Sequence, residues 1–371
     1  MKKCGKLPAP EWLVDDTRRP WRFARLTIKP TRAPGKLGTT RSTITMSDVA
    51  REAGVSPMTV SNCFKYPMRV VPATRRKILD TAARLGYVPN LIAGNLASGR
   101  SNIVAVITPT IQNSNFAGMI HGLESALSQR GYHLIISVID RPEREHEAVR
   151  ALIGRRVDGI VLTGIDRDAP TRKLLQQSEI PVVETWDLRG PFVDMGVGFS
   201  SRDAARDATR LMIDKGYRRI GLAGFHTSVT HRFHERLAGF QLAMREAGLR
   251  DTLLAFVPEP SGFAGGKLAL DQLLEREPKL EGLFCFHDVL ATGVLFDCMR
   301  RGWEVPGRFG VVGFGDYEIA AEVPPGLTTV HTPGDEIGQT AANMIIARVE
   351  GDAMAASVVD LGYTLAVRGS V

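Results

Sequence analysis

Three observations in the 371-residue sequence predict an α/β protein: an N-terminal three-helix head with a helix-turn-helix, then a two-lobed core of doubly wound parallel sheets. Residues 45–65 spell two short helices meeting at a tight turn. The 271 residues from Ser101 onward alternate short apolar runs with helical segments, as parallel strands covered on both faces require. Charge divides along the same line. Residues 1–45 hold eleven Lys/Arg against three acids, residues 46–100 eight against three, and the remainder 28 against 34. The positive field therefore sits at the N-terminal end, where it suits a polyanion, while the larger remainder would repel one.

The first helix opens at Thr45 and Asp48, whose spacing is that of a capping box. It ends at Gly54, which can take positive φ and let the chain reverse within three residues. Ser56 followed by Pro57 is an N-cap and first-turn signature for the second helix. Ala50, Gly54 and Val60 fit the elbow of a helix-turn-helix, with Val49, Ala53, Val55 and Phe64 as further apolar contacts. Two such helices cannot bury themselves. Residues 72–85 supply a third, with Ile78, Ala82 and Leu85 on one face and Gly86 closing it. The segment after Pro89-Asn90, residues 91–99, is long enough for two helical turns but contains Gly94, so it should fold only with help.

These residues carry a resemblance. Asp48, Val49, Ala50, Ala53, Gly54, Val55, Ser56, Thr59, Val60 and Ser61, then Val70, Thr74, Arg75, Ile78, Ala82, Leu85, Gly86, Tyr87, Pro89, Asn90, Ala93 and Leu96, match the head of the lactose-repressor family of bacterial transcription regulators at fixed spacing. The resemblance runs from about residue 44 to the C-terminus. It implies a head at 44–89, a hinge helix and linker at 90–100, and a ligand-binding and dimerisation core at 101–371.

Residues 1–43, rich in Pro, Arg and Thr with little periodicity, read as a disordered basic extension. An over-called start codon ranks first as its explanation, and an arm adding nonspecific DNA affinity second. Four cysteines, Cys4, Cys63, Cys285 and Cys298, are too few and scattered for a disulfide scaffold or a zinc site and suit a reducing cytoplasm. No apolar run approaches the roughly 18 residues of a membrane span, and no apolar stretch follows the first charges to make a signal peptide. No membrane partner, cofactor or metal is expected.

In the core, residues 103–107, 134–138, 159–162 and 180–183 read as one set of strands, and 220–223, 283–286 and 310–313 as a second. Gly131, Gly216, Gly248 and Gly302 each end a periodic segment at the position after a helix, where a left-handed residue is wanted. Two doubly wound lobes follow, with a ligand cleft at the carboxyl ends of the strands. The family resemblance agrees, implying a core like a periplasmic sugar-binding protein.

Within that cleft Arg236, three residues before Gly239, matches the family's ligand arginine, whose planar fork suits a carboxylate or paired sugar oxygens. A surface arginine at a helix start is the competing reading. Asp288 corresponds to the aspartate that accepts hydrogen bonds from ligand hydroxyls, although an aspartate after a strand is otherwise a helix N-cap. The family usually has Asn before it; here His287 puts the hydrogen-bond pattern and pH response in question. Asn115 and Phe116 sit where relatives line the cleft, and Phe116 equally fits a core position through its spacing with Ile120, Leu123 and Leu127. Residues 182–187, 194–199, the pair Phe284-Cys285 and the tail 361–371 look like the gluconate-repressor branch of the family. An aldonate would then place its carboxylate on Arg236 and its hydroxyls on Asp288, with Trp186 offering an apolar face; other sugar acids or neutral sugars would fit nearly as well.

The resemblance also assigns the DNA contacts. Ser56 opens the second helix; Pro57, Met58 and Asn62 face the major groove, and Thr59, Ser61 and Lys65 lie near phosphates. Asn62 replaces the arginine common in relatives, and asparagine prefers adenine where arginine reads guanine. Asn90, Ala93 and Leu96 belong to the hinge, Leu96 as the wedge that kinks the minor groove. Two wedges imply a homodimer, with a tetramer possible, on pseudopalindromic double-stranded DNA. The expected function is repression of sugar or sugar-acid utilisation genes, relieved by a small effector; a co-repressor or a neutral sugar in the same fold is the alternative.

Two other classes compete. An enzyme would need more than Gly196-Val-Gly198, a dinucleotide fingerprint lacking its third glycine, or His231 with His234, which lack a helix-borne glutamate between them. No nucleophile and base pair emerges, so no catalytic residue is assigned. A transport binding protein is disfavoured by the head and by the lack of an export signal.

Overall fold

The computed structural model describes residues 44–88, 100–225, 230–258, 262–352 and 356–371. The chain divides into two units, Met1–Pro89 and Asn90–Val371. The extension 1–43 and the hinge residues Asn90, Ala93 and Leu96 lie outside the described residues.

The head is three helices, α1 (Met46–Ala53), α2 (Pro57–Lys65) and α3 (Pro72–Leu85). Both arms of the capping box form: Asp48 N donates to Thr45 Oγ1 at 3.3 Å, and Thr45 N donates to the Asp48 carboxylate at 3.0 Å. Ser56 caps α2 through the amide of Thr59 at 3.1 Å. Val49, Ala50, Ala53, Val60, Cys63, Val70, Ile78 and Ala82 form the core, with Val55, Phe64 and Leu85 at its edge. Gly54 plays a different part from the elbow contact expected of it. A Cβ there would meet only Lys77 Nζ, at 3.7 Å, and the requirement is instead conformational, since φ is +66°.

The larger unit contains two sheets of one design. Its elements are β1 (Ile103–Thr108), α4 (Ser114–Gln129), β2 (His133–Val138), α5 (Glu145–Gly154), β3 (Gly159–Thr163), α6 (Ala169–Gln177), β4 (Val182–Thr185) and β5 (Met195–Gly198). There follow α7 (Ser201–Asp214), β6 (Ile220–Phe225), α8 (His231–Glu246), β7 (Leu254–Val257), α9 (Gly262–Arg276), β8 (Gly282–Cys285), α10 (Asp288–Arg300), β9 (Gly310–Gly315) and α11 (Glu318–Glu322). The last are β10 (Thr328–His331), α12 (Gly334–Glu350), β11 (Val358–Asp360) and β12 (Thr364–Ala366).

The first sheet runs β11-β5-β4-β3-β1-β2 and the second β12-β10-β9-β8-β6-β7. Pairing is parallel except between β10 and β12. The chain passes between lobes after β5, after β10 and after β11, so both lobes depend on segments distant in sequence. All seven expected strands are present. The one expected at 180–183 begins at Val182, because Pro181 has no amide to give the ladder. Gly131, Gly216, Gly248 and Gly302 all take positive φ, as their positions after helices predicted. Gly122 and Gly338 let α4 and α12 meet backbone to backbone: a Cβ on either would lie 2.1 Å from a carbonyl oxygen of the other helix. Cys63, Cys285 and Cys298 are buried free thiols. Among the described residues no helix is long and apolar enough to cross a membrane.

Candidate nucleic-acid interface and effector cleft

The start of α2 is the exposed edge of the head. Ser56, Pro57, Met58 and Lys65 are exposed, Met58 at 69%, while Thr59, Ser61 and Asn62 are half-buried on the flank of the same helix. Ser56 Oγ and Thr59 Oγ1 lie 2.8 Å apart, so these hydroxyls are already spent on one another and on the cap. Sequence reasoning passed over the turn that follows. There the Arg69 guanidinium stacks 4.6 Å from the ring centroid of half-exposed Tyr66, and Met68 is 90% exposed. A Tyr and an Arg three residues apart were the only signal, and no periodicity marks a turn.

The cleft is assembled from strand ends and helix starts of both lobes. Arg236 lies on α8, whose approach to α7 is set by Gly239: a Cβ there would sit 2.1 Å from Arg202 O. The spacing between the two is thus physical, since the glycine seats the helix that aims the arginine. The Arg236 guanidinium lies 3.7 Å from the Phe314 ring centroid and donates through Nη1 to Phe286 O at 2.8 Å. Its Nε is buried without a hydrogen-bond partner, and among the described residues no carboxylate comes within 4.0 Å of it. Burial, then the neighbouring charge of Arg232, lowers its pKa to about 9.

Asp288 opens α10 and is fully buried. It accepts from Thr329 Oγ1 at 2.6 Å and from Tyr317 N at 2.7 Å, tying α10 to β10 and to the residue before α11. Burial raises its pKa to about 6 against the pull of those donors. Both oxygens expected to meet ligand hydroxyls are therefore occupied within the protein. His287 packs against Phe225, the ring centroids 5.3 Å apart and the planes tilted by 31°. Burial and the charges of Arg236 and Arg232 lower its pKa to about 3, so it stays neutral where the sequence suggested a pH response.

Trp186, 3% exposed, follows β4 with φ +74°. Its ring is edge-on to Phe116 at 5.4 Å and to Phe199 at 6.4 Å, and its indole N–H points at Met119 Sδ, 3.1 Å away. The apolar face expected for a ligand is here packed on other rings. Asn115 Nδ2 lies 3.0 Å from the Cβ position of Gly315 in the other lobe, and Phe116 is half-buried.

Several residues that join the lobes were not singled out for this role. Asn113 Nδ2 donates to Tyr317 Oη at 2.5 Å. Asp187 Oδ1 lies 2.9 Å from His231 Nδ1, its Oδ2 lies 3.6 Å from Arg232 Nη1, and His231 N donates to Asp166 at 2.8 Å. His231 is thus an inter-lobe contact. Gly196 and Gly198 lie in β5, where a Cβ would strike the Phe192 ring at 2.5 Å and Asp187 N at 2.6 Å; they are packing glycines. Asp187 and His231 are 44 residues apart, and their pairing exists only once both lobes are built.

Comparison with known proteins bears on both regions. Residues 45–90 match the family described as bacterial regulatory proteins, lacI family, and residues 209–371 match a periplasmic binding protein-like domain. The HTH-type transcriptional regulator GntR of Escherichia coli K12 is 33% identical over 88% of this chain and 98% of its own length. IdnR of the same strain is 33% identical over 87% of this chain and 97% of its own. A solved lacI-family transcriptional regulator from Silicibacter pomeroyi superposes with a TM-score of 0.83 at 33% identity, covering 88% of this chain and 99% of that one.

Proposed function

The chain belongs to the lacI family of bacterial regulatory proteins and is a DNA-binding transcriptional repressor; from that premise we propose that it controls sugar-acid utilisation genes and leaves its operator when an aldonate such as gluconate binds. One observation carries the ligand class. Arg236 is a buried cation that no acid of the cleft pairs, with an idle Nε and a guanidinium face held on Phe314. A buried charge without a counter-ion is costly, and a ligand carboxylate removes that cost. A neutral sugar would leave it in place.

Arg236 takes the carboxylate. Asp288 receives a ligand hydroxyl only by exchanging it for that of Thr329, with Asn115, Phe116 and Trp186 closing the walls. Ligand entry draws Arg232 away from Asp187, one of the contacts that join the lobes. Opening and closing of the lobes then shifts the population of forms able to hold DNA. On the DNA side Pro57, Met58 and Asn62 read bases while Ser56, Thr59, Ser61 and Lys65 position the backbone. Asn62 sets a preference for adenine. Asn90, Ala93 and Leu96 form the hinge of a homodimer on a pseudopalindrome. Such a protein works in the cytoplasm, and catalysis has no part in its action.

The test is salt-dependent binding of the full chain to DNA upstream of its own gene, with and without millimolar gluconate. Specific binding relieved by gluconate is expected. Specific binding indifferent to every sugar acid would leave the repressor standing and remove the ligand class.

A further inference from the structure

Two arginines, not one, face the space between the lobes. Arg232 lies one turn before Arg236 on α8, and side chains four apart on a helix share a face with Cβ atoms about 5–6 Å apart. The Arg232 side chain is largely buried, its guanidinium 6.0 Å from the Phe116 ring centroid, and its Nη1 is buried with no hydrogen-bond partner. It is thus a second idle donor beside Arg236 Nε. The acids within reach are otherwise engaged. Asp187 gives one oxygen to His231 and holds the other 3.6 Å from Arg232, beyond a hydrogen bond. Asp288 is spent on Thr329 and Tyr317, and Asp316 on Arg368 at 2.7 Å and His331 at 3.0 Å. His287 is neutral and brings no charge of its own. One carboxylate, shared with a histidine, stands against two guanidinium groups.

We propose that the effector is a polyhydroxylated dianion, one anionic group on Arg236 and the other on Arg232. This rests on the sugar-acid reading of the site and narrows it. An aldarate, with a carboxylate at each end, and a phosphorylated aldonate share that chemistry. Both present two anionic groups separated by a hydroxylated chain, which suits two forks spaced along one helix face. When such a ligand binds, Arg232 turns from Asp187 to the second anion, and Asp187 keeps His231.

The test is calorimetric titration of the full chain, wild type and the Arg232→Gln and Arg232→Lys variants, with D-gluconate, D-glucarate and 6-phosphogluconate. One dianion should bind about tenfold or more tighter than gluconate, as a charge-assisted bidentate contact provides. Arg232→Gln should erase that advantage by weakening the dianion about tenfold or more beyond any change in gluconate, and Arg232→Lys should restore part of it as a point charge. Tighter glucarate identifies an aldarate, and tighter 6-phosphogluconate a phosphorylated aldonate. Gluconate binding as well as both dianions to the wild type would overturn the proposal without recourse to a variant. Arg232→Gln weakening gluconate as much as the dianion would overturn it too, by showing both arginines on one carboxylate. If none of the three binds, the sugar-acid reading falls and this inference with it.

Discussion

Both lobes bury charge at the carboxyl ends of their strands, but the first lobe balances it and the second does not. In the first, Arg167, its side chain 1% exposed, pairs with fully buried Glu184 and with Glu145 at 3.0 Å, and also donates to Gly164 O at 2.9 Å. Glu184 completes its set with the amide of Val193 at 2.5 Å. In the second, Arg236 has no acid within 4.0 Å among the described residues, and Asp288 has donors but no cation. Two lobes of the same strand order thus use buried charge in opposite ways. A satisfied network holds a fold together, whereas an unpaired buried charge costs it stability.

The comparison breaks most visibly if Arg167 is removed. Arg167→Met should destabilise the core by about 3–5 kcal/mol in chemical denaturation, because it leaves Glu184 buried without its counter-charge. Burial already raises the Glu184 pKa against the pull of Arg167, and removing Arg167 raises it further. A carboxyl whose folded pKa lies above its unfolded value loses stability as pH rises through that interval, so the defect should be larger at pH 8 than at pH 5. A loss below 1 kcal/mol would show that the network holds nothing together.

Arg236→Gln should do the reverse. Burial lowers the arginine's pKa to about 9, so the unfolded chain binds its proton more strongly and the charge costs stability at neutral pH. Thermal melts of the variant should show equal or higher stability, by about 1–2 kcal/mol after loss of the Phe314 contact, while response to sugar acids disappears. A clear destabilisation would mean that Arg236 is structural.

The head was legible almost residue by residue, because its determinants are local: a capping box at Thr45, an N-cap at Ser56 and two left-handed glycines all act within four residues. Strands long enough to show an apolar run were legible too. Five short ones, β5, β7, β10, β11 and β12, were not, although β4 and β8 are equally short: glycines or polar residues interrupt β5, β10, β11 and β12, and β11 and β12 owe their pairing to chain crossings. The site divides the same way. Arg236 was singled out through the family resemblance, three residues before Gly239, but its lack of a partner is a fact about every acid around it. The Asp187, His231 and Asn113 contacts join segments too far apart in sequence for any pattern to reveal. Trp186 and Asp288 were recognised by position, yet their side chains are committed to packing and to internal hydrogen bonds that only the assembled lobes display.

A smaller effect tests whether Asp288 belongs to the fold or is held in reserve. Thr329→Val removes one of its donors and should cost about 1–2 kcal/mol near pH 8. The folded pKa of Asp288 is already raised to about 6, above its unfolded value, so part of its cost vanishes on acidification as the buried carboxyl takes a proton. Denaturation at pH 5 should therefore show a defect less than half that at pH 8. An equal defect at both would indicate that the hydroxyl matters through packing alone.

The smallest effect comes from a group whose pH dependence is opposite in sign to that of Glu184 and Asp288. His287 is a base whose folded pKa, about 3, lies below its unfolded value near 6.5, so the unfolded chain takes up a proton between those limits that the folded chain refuses. Stability from this group is intact above pH 6.5 and falls as pH drops through the window. Glu184 in the first lobe works the other way, losing its penalty as pH falls. Between pH 7.5 and 5.5 the wild type should lose about 1 kcal/mol that the His287→Asn variant keeps, measured as the difference between their denaturation midpoints at the two pH values. Parallel pH profiles would show that the imidazole is protonated in the folded protein, and the second lobe would then carry still more positive charge than its two arginines supply.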